Sequence, residues 1–318
     1  MPRIIAATLV LVALAASARA EYPERPIRVL VPFPAGGAVD LVARLVGAQM
    51  SGNLHQSIVI ENKPGAGGIV ATDLTAKAAP DGYVLLLTSP NHTINAAFRA
   101  KLPYDTEKDL APITIVAAIP ELLVSHPAAP FDNFQGFVAY AKANPGKLNY
   151  ASAGNGTLPH VTMELLLQRL GLKVTHVPYR GAAPAMTDLL AGQVQLKLDT
   201  YATSAQHVAD GRLRALAYAD KARLPQMPNV PTVAEMGLPG YEGILWIGLM
   251  APGGTPKPII DKLAAAGTRA IRTPEIAERF RRDGIDAVGN TPAEFATLIG
   301  REIGQWRDLG KAVHIEVE

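Results

Sequence analysis

Two glycine-rich turns carry the residues of this sequence that could bind an anion. Pro34-Ala35-Gly36-Gly37 follows Phe33, Ser152-Ala153-Gly154-Asn155-Gly156-Thr157 stands in the second half of the chain, and each turn precedes a helical pattern. Glycines at the start of a helix let a ligand approach the backbone, where free N–H groups and the helix dipole favour an anion. The alternative is that each segment is an ordinary tight turn between a strand and a helix. The chemistry that this pattern indicates is the binding of a carboxylate.

Ser152 and His160 could instead act as a nucleophile and its general base. The G-x-S-x-G pattern is absent because Tyr150 stands where it needs glycine, and the sequence does not identify an acid that would orient His160. The turn also lacks the Rossmann dinucleotide pattern, because Pro159 occupies the position of the third glycine. A serine hydrolase that uses Ser152 and His160 is therefore the alternative function.

Further polar residues stand at the ends of predicted strands. Asp199 ends an apolar segment beside Thr200, and Ser89 and His92 follow another apolar segment. Each of them could be a turn or cap residue, or could line a ligand pocket. The Asp199 carboxylate would then meet a hydroxyl, an amine or a bridging water. Because ligands of open α/β sheets bind beyond the carboxyl ends of the strands, we expect one shared cleft.

The elements that must position these residues follow an α/β rhythm. Short apolar segments alternate with longer amphipathic ones, and the rhythm restarts after Pro120. Strand, glycine turn, helix and strand in succession predict a parallel sheet covered by helices. The predicted strands are 27–31, 57–61, 84–89, 121–125, 150–152, 174–178, 195–199, 214–219 and 247–251. The predicted helices are 40–50, 69–79, 133–143, 160–170, 182–190, 258–272, 274–283 and 292–309.

Residues 1–20 have the pattern of a secretory signal peptide. A basic start at Met1-Pro2-Arg3 precedes an apolar stretch over 4–16, and Ala18-Arg19-Ala20 is a small-x-small cleavage site. The apolar stretch is too short to span a bilayer, and no stop-transfer charges follow it. We therefore expect an exported protein that begins at Glu21, rather than one held by an uncleaved anchor.

Composition excludes several classes of function. Without Arg3 and Arg19, 28 Lys and Arg residues balance 28 Asp and Glu residues, so no basic face for nucleic acid is expected. The chain has no Cys and none of the usual metal-binding motifs, so disulfides, a metal site and a cofactor are not expected. The 298 residues after the predicted cleavage site exceed what one core usually organises, which predicts two domains.

The motifs taken together resemble the Bug-type periplasmic solute-binding receptors of tripartite tricarboxylate transporters. The resemblance runs in order along the whole predicted mature chain. Its segments include VPFPAGG over 31–37, ENKPGAGG over 61–68, APDGY over 79–83, SAGNGT over 152–157, HVPYRG over 176–181 and APGGTP over 251–256.

The resemblance implies a fold: an α/β clamshell of the periplasmic-binding-protein type, with two lobes and a double chain crossover. The crossings are expected near Pro120 and within 219–225. Lobe 1 would comprise 21–119 and 224–318, and lobe 2 would comprise 120–223. A monomer is expected.

The resemblance also implies a function. A small carboxylated organic solute would bind between the lobes, its acid group held by 33–37 and 152–157 and its far end addressed by Asp199. The partners would be the permease subunits of a transporter, with no enzyme activity; a sensor for a membrane kinase would use the same cleft. Leu198-Asp199-Thr200 departs from the Phe-Asp-Asn common in the family, and the segment with Ser89 and His92 departs as well. These changes concern which solute is bound.

Overall fold

The structure is a computed structural model that describes residues 22–312. The predicted signal peptide (1–20), Glu21 and residues 313–318 lie outside the described residues. The sheet has two halves that share one long strand. The first half begins with three parallel strands, β1 (Ile27–Val31), β2 (Ile58–Asn62) and β3 (Val84–Thr88), in the order β2-β1-β3. Helices α1 (Ala38–Leu54), α2 (Ile69–Ala76) and α3 (Asn91–Phe98) follow these strands in turn.

A single strand, β4 (Leu110–Ser125), passes through both halves of the sheet. It pairs with β9 (Ile244–Pro252) as far as Pro120, and from Glu121 onward with β7 (Leu196–Thr200). The strand predicted over 121–125 was therefore too short. Proline usually ends a strand, so Pro112 and Pro120 argued against a strand before residue 121. Register shifts absorb Pro112, and Pro120 lies where β4 exchanges its neighbours.

The second half repeats the arrangement of the first. Its strands β5 (Asn149–Ser152) and β6 (Thr175–Pro178) extend the sheet beyond β7, and β8 (Arg214–Tyr218) pairs with the other edge of β4. Its helices are α4 (Phe134–Ala143), α5 (Leu158–Leu170), α6 (Ala182–Leu190) and α7 (Tyr201–Ala209). The chain ends in α8 (Lys257–Ile271), α9 (Pro274–Arg282), the short β10 (Asp286–Ala287) and α10 (Pro292–Ala312).

The predicted α/β class is confirmed, but the sheet is mixed rather than parallel. The strands at its centre, β9 and β4, run antiparallel to each other and to β3 and β7. Apolar side chains cover both faces of each half of the sheet, as Val42 and Phe295 do in the first half and Phe137 and Leu189 in the second.

The two halves also touch through helices. Ile94 of α3 belongs to the second half's apolar core, and Trp306 of α10 packs against that core. After β8, Val233 and Tyr241 are buried in the same core before β9 returns to the first half. The lobe boundaries over 21–119, 120–223 and 224–318 stay a prediction. Among the helices within 22–312, none has the length and apolar content needed to cross a membrane.

Candidate functional site

A cavity of about 70 Å³ lies between the two halves of the sheet, beyond the carboxyl ends of β1, β3, β5 and β7. Both halves contribute to its apolar walls, which are formed by Phe33, Pro34, Ala38, Val39, Ala153, Pro159, Ala182, Leu198 and Leu245. Uncharged polar side chains from both halves also line it, namely Ser89, Asn91, Thr157 and Thr200. An apolar cavity with a few convergent polar groups is the usual form of a small-molecule site.

Several helices begin at this cavity. The residues before α1, α5, α6 and α7 are Gly37, Thr157, Gly181 and Thr200, and none of their side chains caps the helix that follows. The first turn of a helix leaves N–H groups without partners inside the helix, and the helix dipole adds partial positive charge there. The N-termini of α1 from the first half and of α6 and α7 from the second half therefore make the cavity favourable for an anion. At α5 the N–H of Leu158 already donates to Asn91, and Pro159 has no N–H.

The first glycine turn is fixed by a buried carboxylate. The N–H of Gly36 donates to Oδ2 of Asp40 at 3.2 Å, and Asp40 also accepts hydrogen bonds from Arg44 and Asn62. Burial by itself would raise the pKa of Asp40, but these hydrogen bonds together lower it, so the carboxylate is ionised at neutral pH. The N–H of Gly36, which has a φ of +91°, is thus engaged within the turn.

The first turn places only some of its predicted residues at the cavity. Phe33, Pro34 and Gly37 line it, whereas Ala35 and Gly36 are exposed and do not. Donors to a ligand at this turn are therefore expected from Gly37 and the first turn of α1.

The N–H groups of the second glycine turn also have hydrogen-bond partners within the protein. The N–H of Gly154 donates to Oγ of Ser152 at 3.1 Å, and the N–H of Gly156 donates to Nδ1 of His160 at 3.0 Å. Thr157 lines the cavity, Gly154 and Asn155 line a larger outer groove, and Gly156 lines neither of them. Among the predicted turn residues, Ala153 and Thr157 are therefore the ones that line the cavity.

The pairing of Ser152 with His160 that a hydrolase would need is wrong. Oγ of Ser152 lies 2.6 Å from Nε2 of His176, while Nδ1 of His160 accepts the N–H of Gly156. Burial lowers the pKa of His160 to about 3, with His176 adding to the shift, and burial lowers that of His176 to about 4. Both rings are therefore neutral at pH 7, and their stacking at 4.1 Å supports the turn from behind.

Ser152 is also fully buried and lines neither the cavity nor the outer groove. A buried hydroxyl held by the turn is a structural partner rather than an accessible nucleophile. Among residues 22–312, no group of three or more His, Asp or Glu side chains is arranged to hold a metal ion.

Ser89 and His92 are placed differently from each other. Ser89 lines the cavity, whereas His92 is 2% exposed and lines neither the cavity nor the outer groove. Burial lowers the pKa of His92 to about 4, so its ring is neutral. His92 therefore lies in the interior of the protein behind the cavity wall.

The floor of the cavity is formed by Glu121, Lys197 and Asp199. It carries a buried ion pair that was not predicted from the sequence. Nζ of Lys197 lies 2.6 Å from Oδ1 of Asp199, and their side chains are 1% and 6% exposed. Both residues line the cavity. The signal was present, because Lys197 interrupts the apolar segment that predicted a strand over 195–199. A lysine is almost never fully buried unless it is paired.

Glu121 is the second residue of the floor that the sequence analysis missed. It lines the cavity, is 3% exposed, and its Oε2 lies 2.7 Å from Oγ1 of Thr162. Burial raises the pKa of Glu121 to about 8, and the nearby Asp199 carboxylate adds to this shift. Glu121 is therefore protonated, and so uncharged, over most of the neutral range.

An asparagine joins the two halves across the cavity. Oδ1 of Asn91, the first residue of α3, accepts the N–H of Leu158, the first residue of α5, at 3.1 Å. The Nδ2 group of Asn91 is 3.4 Å from the carbonyl of Gly67. Because α3 and α5 belong to different halves, this hydrogen bond exists only while the halves are together.

We expect Asn91→Ala to weaken ligand binding by roughly 5–150-fold, since it leaves a buried N–H without its acceptor at a cost of about 1–3 kcal/mol. Titration calorimetry would measure the loss. Asn95→Ala is the matched control, because Asn95 is equally buried but donates to Gly67 within the first half. Equal losses in the two variants would contradict a role for Asn91 in joining the halves.

An outer groove of about 720 Å³ adjoins the cavity. It shares Phe33, Pro34 and Ala153 with the cavity, and it lies between the turn Gly65–Gly68 and the segment Pro178–Gly181. The groove and the cavity are therefore separated only by these shared residues.

Comparisons with known proteins agree with this geometry. The family model described as tripartite tricarboxylate transporter family receptor matches residues 42–315. The BugT protein of Bordetella pertussis is 36% identical over 287 residues, which are 90% of this chain and 88% of that protein.

Two solved structures show the same fold. The Rpa4515 protein of R. palustris with adipate has a TM-score of 0.89 and 32% identity, and the match covers 93% of this chain and 99% of that one. The MatC protein of Rhodopseudomonas palustris with bound malate has a TM-score of 0.86 and 36% identity, and the match covers 91% and 99% of the two chains. The fold is therefore of the periplasmic-binding-protein type, and the chain belongs to the receptor family of the tripartite tricarboxylate transporters.

Proposed function

We propose that this protein is an extracytoplasmic receptor that binds a small carboxylated organic acid in the cavity and delivers it to membrane permease subunits. The observation that carries the proposal is the convergence of helix N-termini from both halves, those of α1, α6 and α7, on one apolar cavity. Such N-termini bind anions. The dicarboxylates in the two similar structures, adipate and malate, support an acid as the ligand.

The acid group would lie at the N-terminal turn of α1, beside Thr157. Gly37 would contact it directly, and Thr157 would bound the site without donating, because its N–H and its Oγ1 both donate to the carbonyl of Gly154. The remaining predicted turn residues would hold these two in place. Phe33 and Pro34 would pack against the body of the ligand, and the buried pair of Asp199 and Lys197 would lie at its far end. The protein would work as a monomer in the periplasm after removal of residues 1–20, and it would have neither an enzyme activity nor a cofactor.

A thermal-shift screen against organic acids tests the proposal, because a ligand that binds only the folded state raises the melting temperature. Each acid is paired with its methyl ester, which keeps the shape and removes the charge. We expect at least one acid to raise the melting temperature by several degrees while its ester does not. A screen in which no acid acts, or in which the esters act as strongly, would refute the proposal.

We further expect no hydrolysis of a panel of esters and amides above the rate in buffer. Ser152 is fully buried, and the Nε2 atom within hydrogen-bond distance of it belongs to a neutral His176. The measurement is product release followed by absorbance. Turnover that disappears in Ser152→Ala would establish a hydrolase instead of a receptor.

A further inference from the structure

The carboxylate of Asp199 is already satisfied by the protein. Its Oδ1 accepts from Lys197 at 2.6 Å, and its Oδ2 accepts from Thr203 and Ser204, each at 2.8 Å. Two oxygens that take three protein donors have little capacity left for a ligand donor. Asp199 therefore acts as the group that holds Lys197 in position, rather than as the group that contacts the solute.

Lys197 has a donor to spare. Its ammonium has three N–H groups, of which one is directed at Asp199 and one at the carbonyl of Leu198, 3.3 Å away. No other acceptor for Lys197 is found among residues 22–312, and the residue lines the cavity. The third N–H is therefore available to an acceptor atom at the far end of a bound acid.

The hydrogen bonds around Glu121, as well as its burial, indicate that its carboxyl group is protonated. Oγ1 of Thr162 lies 2.7 Å from Oε2 of Glu121 and 2.7 Å from the carbonyl oxygen of Leu158. A hydroxyl has one proton, and a carbonyl oxygen can only accept. Hydrogen bonds at both contacts therefore require a proton on Glu121, which makes this carboxyl group neutral.

The charges that line the cavity then cancel. Asp40 is paired with Arg44 outside the cavity, Asp199 is paired with Lys197, and Glu121 is neutral. Among the described residues of the lining, Lys197 is the only cation. A second carboxylate on the ligand would share Lys197 with Asp199 and would meet its repulsion in a site with little water to screen it.

We propose that the cavity floor selects a monocarboxylate whose far end carries an uncharged hydrogen-bond acceptor, such as an amide or keto oxygen, and that Lys197 is the residue that recognises this acceptor. The inference deepens the proposed function and rests on it. It separates this protein from receptors for dicarboxylates, because the floor offers one N–H donor but no net positive charge.

Calorimetric titration of the mature protein at pH 7 with matched ligands tests the proposal. Succinate, glutarate and adipate are each compared with their monoamides, which have the same shape and one charge less, and with the alkanoates of equal length. We expect one monoamide to bind at least tenfold tighter than both its dicarboxylate and its alkanoate. A dicarboxylate that binds as tightly as its monoamide at every length would overturn the proposal, and so would a monoamide with no advantage over the alkanoate.

Two variants test the residues. Asp199→Asn leaves Lys197 without its counter-charge, so the preference for monoamide over dicarboxylate should fall at least tenfold and can reverse. In Lys197→Met combined with Asp199→Asn, which removes both charges and so guards against misfolding, the advantage of the monoamide over the alkanoate should vanish. An unchanged preference in a folded Asp199→Asn protein would refute the role of the ion pair. Failure of every acid to bind would instead refute the proposed function itself.

Discussion

Lys197→Met should lower the free energy of unfolding by about 3–5 kcal/mol, because it leaves the buried carboxylate of Asp199 without a counter-charge. Lys197 and Asp199 are 1% and 6% exposed, so water cannot replace the lost partner. Adding Asp199→Asn should restore most of the loss, since the neutral pair no longer includes a buried charge. Urea denaturation followed by circular dichroism would measure both changes.

Lys77→Met is the matched control for this experiment. Lys77 forms an ion pair with Asp73 on α2, but its side chain is 64% exposed. An exposed pair contributes about 1 kcal/mol or less, so this variant should be nearly as stable as the wild type. A loss below about 1 kcal/mol in Lys197→Met would mean that the carboxylate of Asp199 does not need Lys197 as its counter-charge.

Gly37→Val should weaken binding of the solute by about 2–4 kcal/mol, or roughly 30–1000-fold, the scale of losing contacts to a buried charged group. Gly37 lies directly before α1 with φ −88° and ψ 171°, a conformation that valine adopts readily. A Cβ atom there would lie 3.7 Å from Cβ of Ala182 in the other half, and both residues line the cavity. We therefore expect the protein to fold while the anion site is blocked.

Gly52→Val is the control, because Gly52 lies on the same helix with no atom within 4 Å of an added Cβ. Calorimetric affinity and the melting temperature of the ligand-free protein would be measured for both variants. Near-normal affinity in a folded Gly37→Val protein would remove the N-terminus of α1 from the anion site.

Local patterns in the sequence predicted most elements of the fold to within a few residues. The helix over 182–190 coincides with α6, and the strand over 27–31 coincides with β1. Such elements depend on apolar periodicity and on the glycines and prolines beside them, which are properties of neighbouring residues. Strand β4 departs from this rule, since Pro112 and Pro120 are tolerated only because register shifts and an exchange of partners accommodate them.

By itself, the sequence determined the α/β class, the family, and the two glycine turns that precede helices, because each of these can be recognised from short segments of neighbouring residues. Only the tertiary structure decided what those residues contact. In the structure Ser152 contacts His176 rather than His160, the N–H of Gly36 donates to Asp40, and Lys197 forms an ion pair with Asp199. The contact of Ser152 with His176 depends on the pairing of β5 with β6, whereas the other two contacts join residues at most four positions apart. The burial that governs protonation comes from the packing of the elements around the cavity. That packing therefore makes Glu121 neutral and shields the pair of Lys197 and Asp199 from water.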